Sequence, residues 1–407
     1  MSGTEQRVVV AGASLGGLRA AEGLRASGFT GEVVVVGDEP HLPYNRPPLS
    51  KEALAGDVEF STLEFRRRKS VDDVTWRLGA GVAEASLTTK EVVLTDGSVM
   101  PFDGLVVATG LRVRRLMIPA PDGGRHAVRT LEDAVALRAD LRPGAKVVVI
   151  GAGFIGCEVA ATAVKLGCEV DVVAPEAVPM QRPLGLEVGG AMRRRHEAAG
   201  VRWHLGRLPA SVEPSASDPG RVGAVVLADG TRLPADVVVE ALGCVPNTDW
   251  LASTDVDISD GVLTDGHLRA LTVDGAPRPD VVAVGDVARF PNALFDDVPR
   301  RVEHWSIPTD TAKRAAPALA AGLAGAEVDP LPFAPMPSFW TDQYGLRVQS
   351  FGALGIADSV TVLEGDLDDE FVAGYERDGV LVGVLGIGLM SSLMKLRGEI
   401  IENLKPA

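Results

Sequence analysis

Two glycine-rich segments carry the residues best suited to chemistry in this sequence. GASLGG at 12–17 follows the apolar run RVVVA, and GAGFIG at 151–156 follows KVVVI. In such a segment the first glycine permits a tight turn after a strand, and the last lets the next helix pack closely on that strand. Amide groups at the start of the helix then face a pyrophosphate. Each segment therefore predicts one bound dinucleotide, and the pair predicts two.

Each glycine segment begins a strand–helix–strand unit. In the first unit, SLGGLRAAEGLRASG has helical spacing and leads to the strand EVVVVGDE, whose last residue, Glu39, can accept hydrogen bonds from ribose hydroxyls. Ser14 stands in place of the middle glycine and still allows a close backbone approach. The second unit, with the helix IGCEVAATAVKLG and the strand EVDVVAPE, has the full pattern of Gly151, Gly153 and Gly156. The strand and helix context makes this motif specific.

Three later segments complete the predicted lobes. FDGLVVATG at 102–110 and ADVVVEALGCVPN at 235–247 each indicate an apolar strand that ends at a glycine and closes a nucleotide-binding lobe. VVAVGDVA at 281–288 places Asp286 just past a buried strand. Two interpretations of Asp286 stay open: it binds hydroxyls on the sugar-alcohol chain of a cofactor, or it is the N-cap of a following helix.

Composition excludes several classes of protein. The 407 residues suit two or three domains, and the net charge of −15 argues against a nucleic-acid partner. No apolar run approaches the ~20 residues that span a bilayer, and VLVGVLGIGLM at 380–390 is predicted to be a buried strand. The opening MSGTEQ has no signal-peptide pattern, so a cytoplasmic protein is expected.

The cysteines and histidines show no reactive or metal-binding spacing. The three cysteines form no CxxC or CxxxxC pair, and the six histidines include no HExxH motif. We therefore expect no disulfide scaffold, no redox-active dithiol and no metal site. Each cysteine is expected to be a small buried residue, namely Cys157, Cys168 and Cys244.

The order of these segments resembles the two-dinucleotide flavoprotein reductases, and among them the bacterial ferredoxin reductases that serve aromatic-ring dioxygenases and haem monooxygenases. The resemblance spans essentially the whole chain and rests on GASLGG, PYNRPPLSK (43–51), VVATG, GAGFIGCE, GCVPN, VAVGD, VEHWS (302–306) and SFWTDQYGLRVQ (338–349). It implies a glutathione-reductase-like α/β fold with two Rossmann-like domains and a C-terminal α+β domain. The expected boundaries are 1–112 and 243–328 for the FAD domain, 113–242 for the inserted NAD(P) domain and 329–407 for the C-terminal reductase domain.

The resemblance also assigns cofactor contacts. Contacts with FAD are expected from Gly12, Glu39, Arg46, Lys51 and Asp286. The nicotinamide side is expected to include Gly151, Gly153 and Glu158. Further contacts with the cofactors are expected from Ser14, Leu15, Gly16, Gly17, Val82, Ala108, Thr109, Gly110, Arg129, Phe154, Ile155, Gly156, Glu176, Gly243, Glu303, His304, Trp305 and Trp340.

Three of these residues are expected to be catalytic. Lys51 would stabilise negative charge on a reduced flavin, Glu158 would pair with Lys51 and orient the nicotinamide carboxamide, and Trp340 would hold the nicotinamide against the flavin. The competing interpretations are structural. Lys51 is then a solvated residue behind an N-capping Ser50, Glu158 is a helix-surface carboxylate, and Trp340 belongs to the core.

Departures from the family pattern affect the choice of nucleotide. Ala174 stands where relatives carry an acidic residue, although Glu176 is near enough to reach the adenosine ribose, and Arg182 is the nearest cation for a 2′-phosphate. NADH is therefore expected, with NADPH left open. Ser338 replaces an aromatic residue, and IPTDTAKRAA follows VEHWS where relatives often have Asn and Gly, so local contacts with the cofactors are expected to differ.

The resemblance implies an enzyme that takes a hydride from NADH and passes single electrons to a small acidic ferredoxin feeding an oxygenase. Arginine-rich docking candidates lie at 66–69, 112–115 and 300–301. Two alternatives stay open: a reductase of small molecules of the monodehydroascorbate-reductase type, and a redox-controlled binding flavoprotein of the apoptosis-inducing-factor type. We expect a monomer or weak dimer.

Overall fold

The computed structural model describes residues 6–56 and 59–404. A six-stranded sheet forms the first unit, with five parallel strands and one antiparallel edge strand. In spatial order its strands are Arg269–Leu271, Pro277–Ala283, Gly104–Val107, Arg7–Ala11, Glu32–Gly37 and Thr75–Leu78. The central strands are buried on both faces, which explains their continuous valine runs.

A parallel five-stranded sheet forms the second unit. Its strands, again in spatial order, are Arg202–Leu205, Glu169–Ala174, Lys146–Ile150, Val237–Glu240 and Arg125–His126. Strand Pro277–Ala283 returns to the first sheet and pairs with Gly104–Val107, although the whole second sheet lies between them in the chain. The first unit is therefore interrupted by the second, as the sequence predicts.

Small antiparallel sheets accompany the two parallel ones. A two-stranded ribbon joins the units where the chain leaves and re-enters the first one, by pairing Leu111–Val113 with Cys244–Pro246. The three-stranded sheets are Val82–Ser86, Glu91–Leu94 and Val99–Pro101; Pro209–Pro214, Val222–Leu227 and Arg232–Pro234; and Val262–Leu263, Ala288–Asn292 and Asp296–Arg301.

The C-terminal unit is an antiparallel five-stranded sheet with a helix on one face, which confirms the predicted α+β class. Its strands in spatial order are Ser338–Gln343, Leu346–Gly352, Val380–Ile387, Phe371–Arg377 and Ser359–Gly365. Val380–Ile387 is the predicted buried strand. Its helix is Met390–Asn403, and Leu393 and Ile400 are buried in the core beneath it.

Helices cover both parallel sheets. The long ones in the described residues are Leu15–Ala26, Leu131–Asp140, Phe154–Lys165, Gln181–Ala198 and Ile307–Ala324. The short ones are Glu52–Ala55 and Phe60–Leu63, with 3₁₀ turns at Pro47–Ser50, Lys69–Val71, Asp249–Leu251, Gly285–Val287 and Leu354–Ile356. Each glycine segment ends a central strand and starts a helix, which confirms the two predicted strand–helix–strand units and the predicted fold class.

Candidate active site

The first glycine turn, residues 12–17, requires glycine at both ends. Gly12 has φ +123°, and a Cβ there would lie 2.1 Å from the carbonyl oxygen of Ala108. A Cβ on Gly17 would lie 1.9 Å from the carbonyl oxygen of Gly12. The helix Leu15–Ala26 therefore begins in direct contact with the strand end, and the amide groups of its first turn have no partners within the helix, as an anion site requires.

The second glycine turn, residues 151–156, has the same geometry. Gly151 has φ +112° and its Cβ would lie 2.2 Å from the carbonyl oxygen of Ala241, whereas a Cβ on Gly156 would lie 2.1 Å from the carbonyl oxygen of Gly151. Gly153 differs, because a Cβ there would meet nothing within 4 Å. That space explains how Ser14 can occupy the equivalent position in the first turn.

A charged cluster lies beside the first glycine turn. The Arg46 guanidinium donates to the Glu39 carboxylate, to the Ser14 hydroxyl at 3.4 Å and to the backbone carbonyl of Arg129 at 2.6 Å. Tyr44 donates its hydroxyl to Glu39 at 2.5 Å, and burial raises the pKa of Tyr44. Four predicted cofactor contacts thus come together (Ser14, Glu39, Arg46 and Arg129), with the Glu39 carboxylate fixed by two donors at the end of its strand.

The opposite side of the groove contains polar atoms without partners. Asp286 accepts no hydrogen bond from the described residues, and burial raises its pKa to about 6. Nδ1 of His304 and the Ser306 hydroxyl are also buried without partners in the described part of the chain. These atoms lie around the start of the helix Ile307–Ala324, where Thr311 accepts from the amide of Gly285 at 2.9 Å.

These features fit FAD. A dinucleotide with a sugar-alcohol chain supplies hydroxyl donors for a buried carboxylate, and its pyrophosphate suits a glycine turn at a helix start. The N-cap interpretation of Asp286 is wrong, because the residue lies in the 3₁₀ turn Gly285–Val287 and the strand Ala288–Asn292 follows. Burial also lowers the pKa of His304 to about 4, so this imidazole is neutral near pH 7.

A buried ion pair joins the two dinucleotide units. Nζ of Lys51 lies 2.8 Å from Oε2 of Glu158, and the two side chains are only 11% and 4% exposed. The same Oε2 accepts from the Ser50 hydroxyl at 2.5 Å, and Oε1 accepts from Thr341 at 2.6 Å. Thr162 donates to the carbonyl of Ser50 at 2.8 Å and fixes the same junction.

This geometry decides between the earlier interpretations of the pair. The predicted Lys51–Glu158 contact is present, so neither side chain is a solvated surface group. Ser50 donates to Glu158, and the short helix Glu52–Ala55 has no side-chain N-cap. Three donors hold the carboxylate in one position, which keeps the ammonium of Lys51 at the seam between the units.

Aromatic residues line the seam. Phe339 packs against Phe154 with ring centroids 4.8 Å apart and against His304 at 5.2 Å. Trp305 stacks on Phe65 at 6.1 Å. Alternation along Ser338–Gln343 places Trp340 on the opposite face from Phe339 and Thr341. The structure therefore brings Phe339, and not Trp340, together with the ion-pair side of this strand.

The remaining predicted residues belong to neither the Glu39–Arg46 cluster nor the Lys51–Glu158 pair. Thr109 donates to the carbonyl of Asn247 at 2.7 Å, and Glu303 pairs with Arg301 at 2.7 Å. The others keep their positions on the glycine turns, on the strand ends or in the loops that follow them: Leu15, Gly16, Val82, Gly110, Ile155, Glu176 and Gly243. Two members of this set are exposed, Gly243 and Ile155, the latter at 43%.

Sequence reasoning missed several residues at the seam. Ser50, Thr341, Phe339 and Gln343 all lie inside quoted segments, PPLSK or SFWTDQ, yet none was assigned a contact. His196 was also missed, and it is fully buried on the helix Gln181–Ala198. The alternation of SFWTDQ was the available signal, because it separates Phe339, Thr341 and Gln343 from Trp340.

Cys157 and Cys168 are buried, but Cys244 is only half-buried, because it lies on the narrow ribbon between the units. Within the described residues, no three His, Cys, Asp or Glu side chains come together as ligands for a metal ion. No helix in residues 6–56 and 59–404 is long and apolar enough to cross a membrane.

Two glycine turns, and a buried ion pair between Lys51 and Glu158 on the helix of the second turn, define the class of two-dinucleotide oxidoreductases. The chain belongs to the pyridine nucleotide-disulphide oxidoreductase family, whose model matches residues 6–312. Residues 338–406 match a second model, described as Reductase C-terminal. The three cysteines are all free, so this member carries no redox disulfide in the described chain.

Curated relatives and solved structures agree with this membership. The chain is 36% identical to the ferredoxin–NAD(+) reductase component of the anthranilate 1,2-dioxygenase system of Burkholderia cepacia, over 94% of this chain and 90% of that protein. It is also 36% identical to putidaredoxin reductase of Pseudomonas putida, over 85% and 80% of the two chains. Among solved structures, the covalent putidaredoxin reductase–putidaredoxin complex superposes with a TM-score of 0.87 at 31% identity, covering 99% of this chain and 94% of that one.

Proposed function

We propose that this protein is an FAD-dependent ferredoxin reductase that takes a hydride from NADH and passes single electrons to an iron–sulfur ferredoxin feeding an oxygenase. The observation that carries the proposal is the ion pair between Lys51, beside the predicted FAD groove, and Glu158, on the helix of the second glycine turn. The relatives named above are ferredoxin reductases of oxygenase systems or of putidaredoxin, which supports the same activity.

The residues at the seam have distinct roles in this proposal. Bound FAD would supply the two-electron to one-electron conversion. The Lys51 ammonium would stabilise negative charge at the flavin, and Glu158 would hold Lys51 and orient the nicotinamide carboxamide. Phe154 and Phe339 would exclude water from the nicotinamide side. The aromatic-wall role of Trp340 stays a prediction, with its side chain on the other face of the strand.

NADH is the proposed nucleotide. Glu176 lies just beyond the strand Glu169–Ala174, and its carbonyl accepts from the amide of Gly206 at 3.1 Å, which fixes the loop near the expected adenosine ribose. The cation on the neighbouring loop, Arg207, pairs with Asp229 at 2.9 Å. A carboxylate at this position accepts from ribose hydroxyls and repels a 2′-phosphate.

The basic run Arg66, Arg67, Arg68 and Lys69 is the proposed docking face for the ferredoxin. All four residues are exposed, and they directly follow Phe65, which stacks on Trp305 at 6.1 Å. In the other candidate clusters, Arg114 is the exception within the described residues, and the other four of the five arginines are engaged by carboxylates: Arg112 with Asp249, Arg115 with Glu240, Arg300 with Asp296, and Arg301 with Asp260 and Glu303. The run at 66–69 is thus both next to the predicted flavin edge and the least neutralised.

Purified protein tests the proposal directly. We expect a yellow protein with bound FAD that oxidises NADH faster than NADPH, and that reduces cytochrome c only when a ferredoxin is added. Reduction of small quinoid or radical acceptors at equal rates without ferredoxin would favour the small-molecule reductase. Slow flavin reduction with a long-lived charge-transfer complex and dimerisation would favour the signalling flavoprotein. Colourless protein that does not take up FAD would contradict all three.

A further inference from the structure

A chain of buried polar side chains runs from the ion pair through the C-terminal sheet. Thr341 donates to Oε1 of Glu158 at 2.6 Å, and Nε2 of Gln343 donates to Thr341 at 3.0 Å. Oε1 of Gln343 lies 2.7 Å from Nε2 of His196, and Nδ1 of His196 lies 2.8 Å from the hydroxyl of Tyr344. Glu158, Thr341, Gln343 and His196 are each no more than 3% exposed.

Proton counting gives this chain one direction. Oε2 of Glu158 faces the Lys51 ammonium and accepts from Ser50, and Oε1 accepts the single hydroxyl proton of Thr341. Gln343 must then offer an amide N–H to Thr341, which leaves its carbonyl oxygen facing His196. Nε2 of His196 therefore carries a proton, and Nδ1 accepts from Tyr344 in the neutral imidazole.

The surroundings of His196 keep this arrangement in place. The imidazole meets Trp203 edge-on at 5.4 Å and Tyr344 at 4.9 Å between ring centroids. Burial lowers the pKa of His196 to about 4, so the ring stays neutral near pH 7. A neutral ring with both nitrogens paired has one tautomer and one orientation, and it transmits that constraint to the amide of Gln343.

We propose that Gln343 and His196 are positioning residues for hydride transfer: they fix the Thr341 hydroxyl, and through it the carboxylate of Glu158, at the seam between the two dinucleotides. This inference rests on the proposed function and deepens it. Oε2 of Glu158 already receives Ser50 and Lys51, so Oε1 is the oxygen whose direction needs a second anchor. That anchor is the Thr341 hydroxyl, which belongs to the C-terminal unit. The C-terminal unit therefore helps to set the geometry of hydride transfer.

The test combines kinetics with a measurement that needs no turnover. In Gln343→Met holoenzyme, the stopped-flow rate of flavin reduction by NADH should fall about tenfold, because misplacement of an orienting group near the reacting atoms costs rate. Reoxidation by ferricyanide and FAD content should stay within about twofold, since those do not depend on Glu158 orientation. Ser350→Ala is the matched control, because it removes a buried hydroxyl of the same sheet that has no partner in the described residues.

Nitrogen-15 NMR of histidine-labelled protein measures the tautomer of His196 and so tests the hydrogen-bond network directly. His196 should show the neutral tautomer protonated at Nε2 in the wild type and Ser350→Ala, and should lose that fixed tautomer in Gln343→Met. The opposite tautomer in the wild type, or flavin reduction within twofold of wild type in Gln343→Met, overturns the proposal. If Gln343→Met fails to retain FAD, Thr341→Val decides in the same assays. If NADH does not reduce the wild-type protein, the proposed function is refuted instead. The tautomer of His196 still tests the hydrogen-bond network in that case.

Discussion

The paired charges of Lys51 and Glu158 are costly to bury and are held by an unusually full set of donors. Removing two ions from water costs several kcal/mol each, and an apolar pair of similar volume is often as stable. Here the carboxylate accepts from Ser50, Lys51 and Thr341, which offsets much of that cost. Because packing alone does not require such a pair, its place at the seam between two dinucleotide units argues for a chemical role.

Lys51→Met should separate that role from stability. The substitution leaves a buried carboxylate without its cation, so the free energy of unfolding should fall by about 3 kcal/mol or more. Flavin reduction by NADH should fall at least about tenfold, because the charge that stabilises the reduced ring is lost. Chemical denaturation followed by fluorescence and single-turnover stopped-flow measure the two effects.

A lysine of the same type on the surface is the control for that substitution. Lys395 pairs with Glu399 at 3.8 Å on the last helix, and its side chain is 80% exposed. Lys395→Met should therefore change stability by less than about 1 kcal/mol and leave flavin reduction unchanged. Equal effects of the two substitutions would show that the Lys51 contact has no special role.

His196 should make stability depend on pH in a defined direction. Its folded-state pKa of about 4 lies below the ordinary 6.5. Between these two pH values the unfolded chain therefore binds a proton at His196 and the folded protein does not. The wild type should lose up to about 3 kcal/mol relative to His196→Gln as pH falls from about 6.5 towards 4, and nothing above pH 7. Denaturant titrations of both proteins at several pH values measure this difference, and parallel curves would rule it out.

At the residue scale, the sequence predicted contacts that depend on local motifs and missed those that depend on distant pairing. Lys51 and Glu158 each stand in a recognisable segment, so their meeting was predictable. The chain from Thr341 to His196 was not, because it joins a strand of the last unit to a helix of the second. Nothing in the local pattern around His196 distinguishes a network member from an ordinary core histidine.

The glycine turns show how an element positions chemistry through close contact. A Cβ on Gly156 would lie 2.1 Å from a backbone oxygen, so Gly156→Ala should destabilise the protein by about 2 kcal/mol and raise KM for NADH. Gly153 has φ −76° and open space, so Gly153→Ser should change stability by no more than about 0.5 kcal/mol. Thermal unfolding and steady-state kinetics on both variants measure these effects. Equal losses of stability in the two variants would show that the close contact at Gly156 does not determine which glycine is required.

Among the elements, the central strands and the two glycine helices were predictable and the small sheets were not. Strands such as Arg7–Ala11 and Lys146–Ile150 are buried on both faces, so they read as continuous apolar runs. Val82–Ser86 and Arg232–Pro234 are short and half-exposed, and such strands depend on their partners more than on their own residues.

The net charge of the whole molecule has the same sign as that of the proposed partner, an acidic ferredoxin. A net charge of −15 repels a small acidic ferredoxin at long range. The run at 66–69 reverses the sign locally, beside the Phe65–Trp305 stack. Part of the run is anchored, since Arg68 lies 3.6 Å from buried Glu22. Docking would therefore depend on a small basic area, which neutralisation of a few arginines can test.

Neutralising Arg66 and Arg67 together should weaken ferredoxin binding and leave the other reactions of the flavin unchanged. Neither arginine forms an ion pair within the described residues, so Arg66→Gln/Arg67→Gln removes two unshielded charges. The KM for ferredoxin should rise about tenfold at low salt, and the difference should shrink as salt screens the encounter. Ferricyanide reduction should stay unchanged, and so should ferredoxin turnover in Arg193→Gln/Arg232→Gln, which carries the same charge change at exposed pairs elsewhere. Equal losses in both double variants would mean that net charge, and not the face beside Trp305, governs docking.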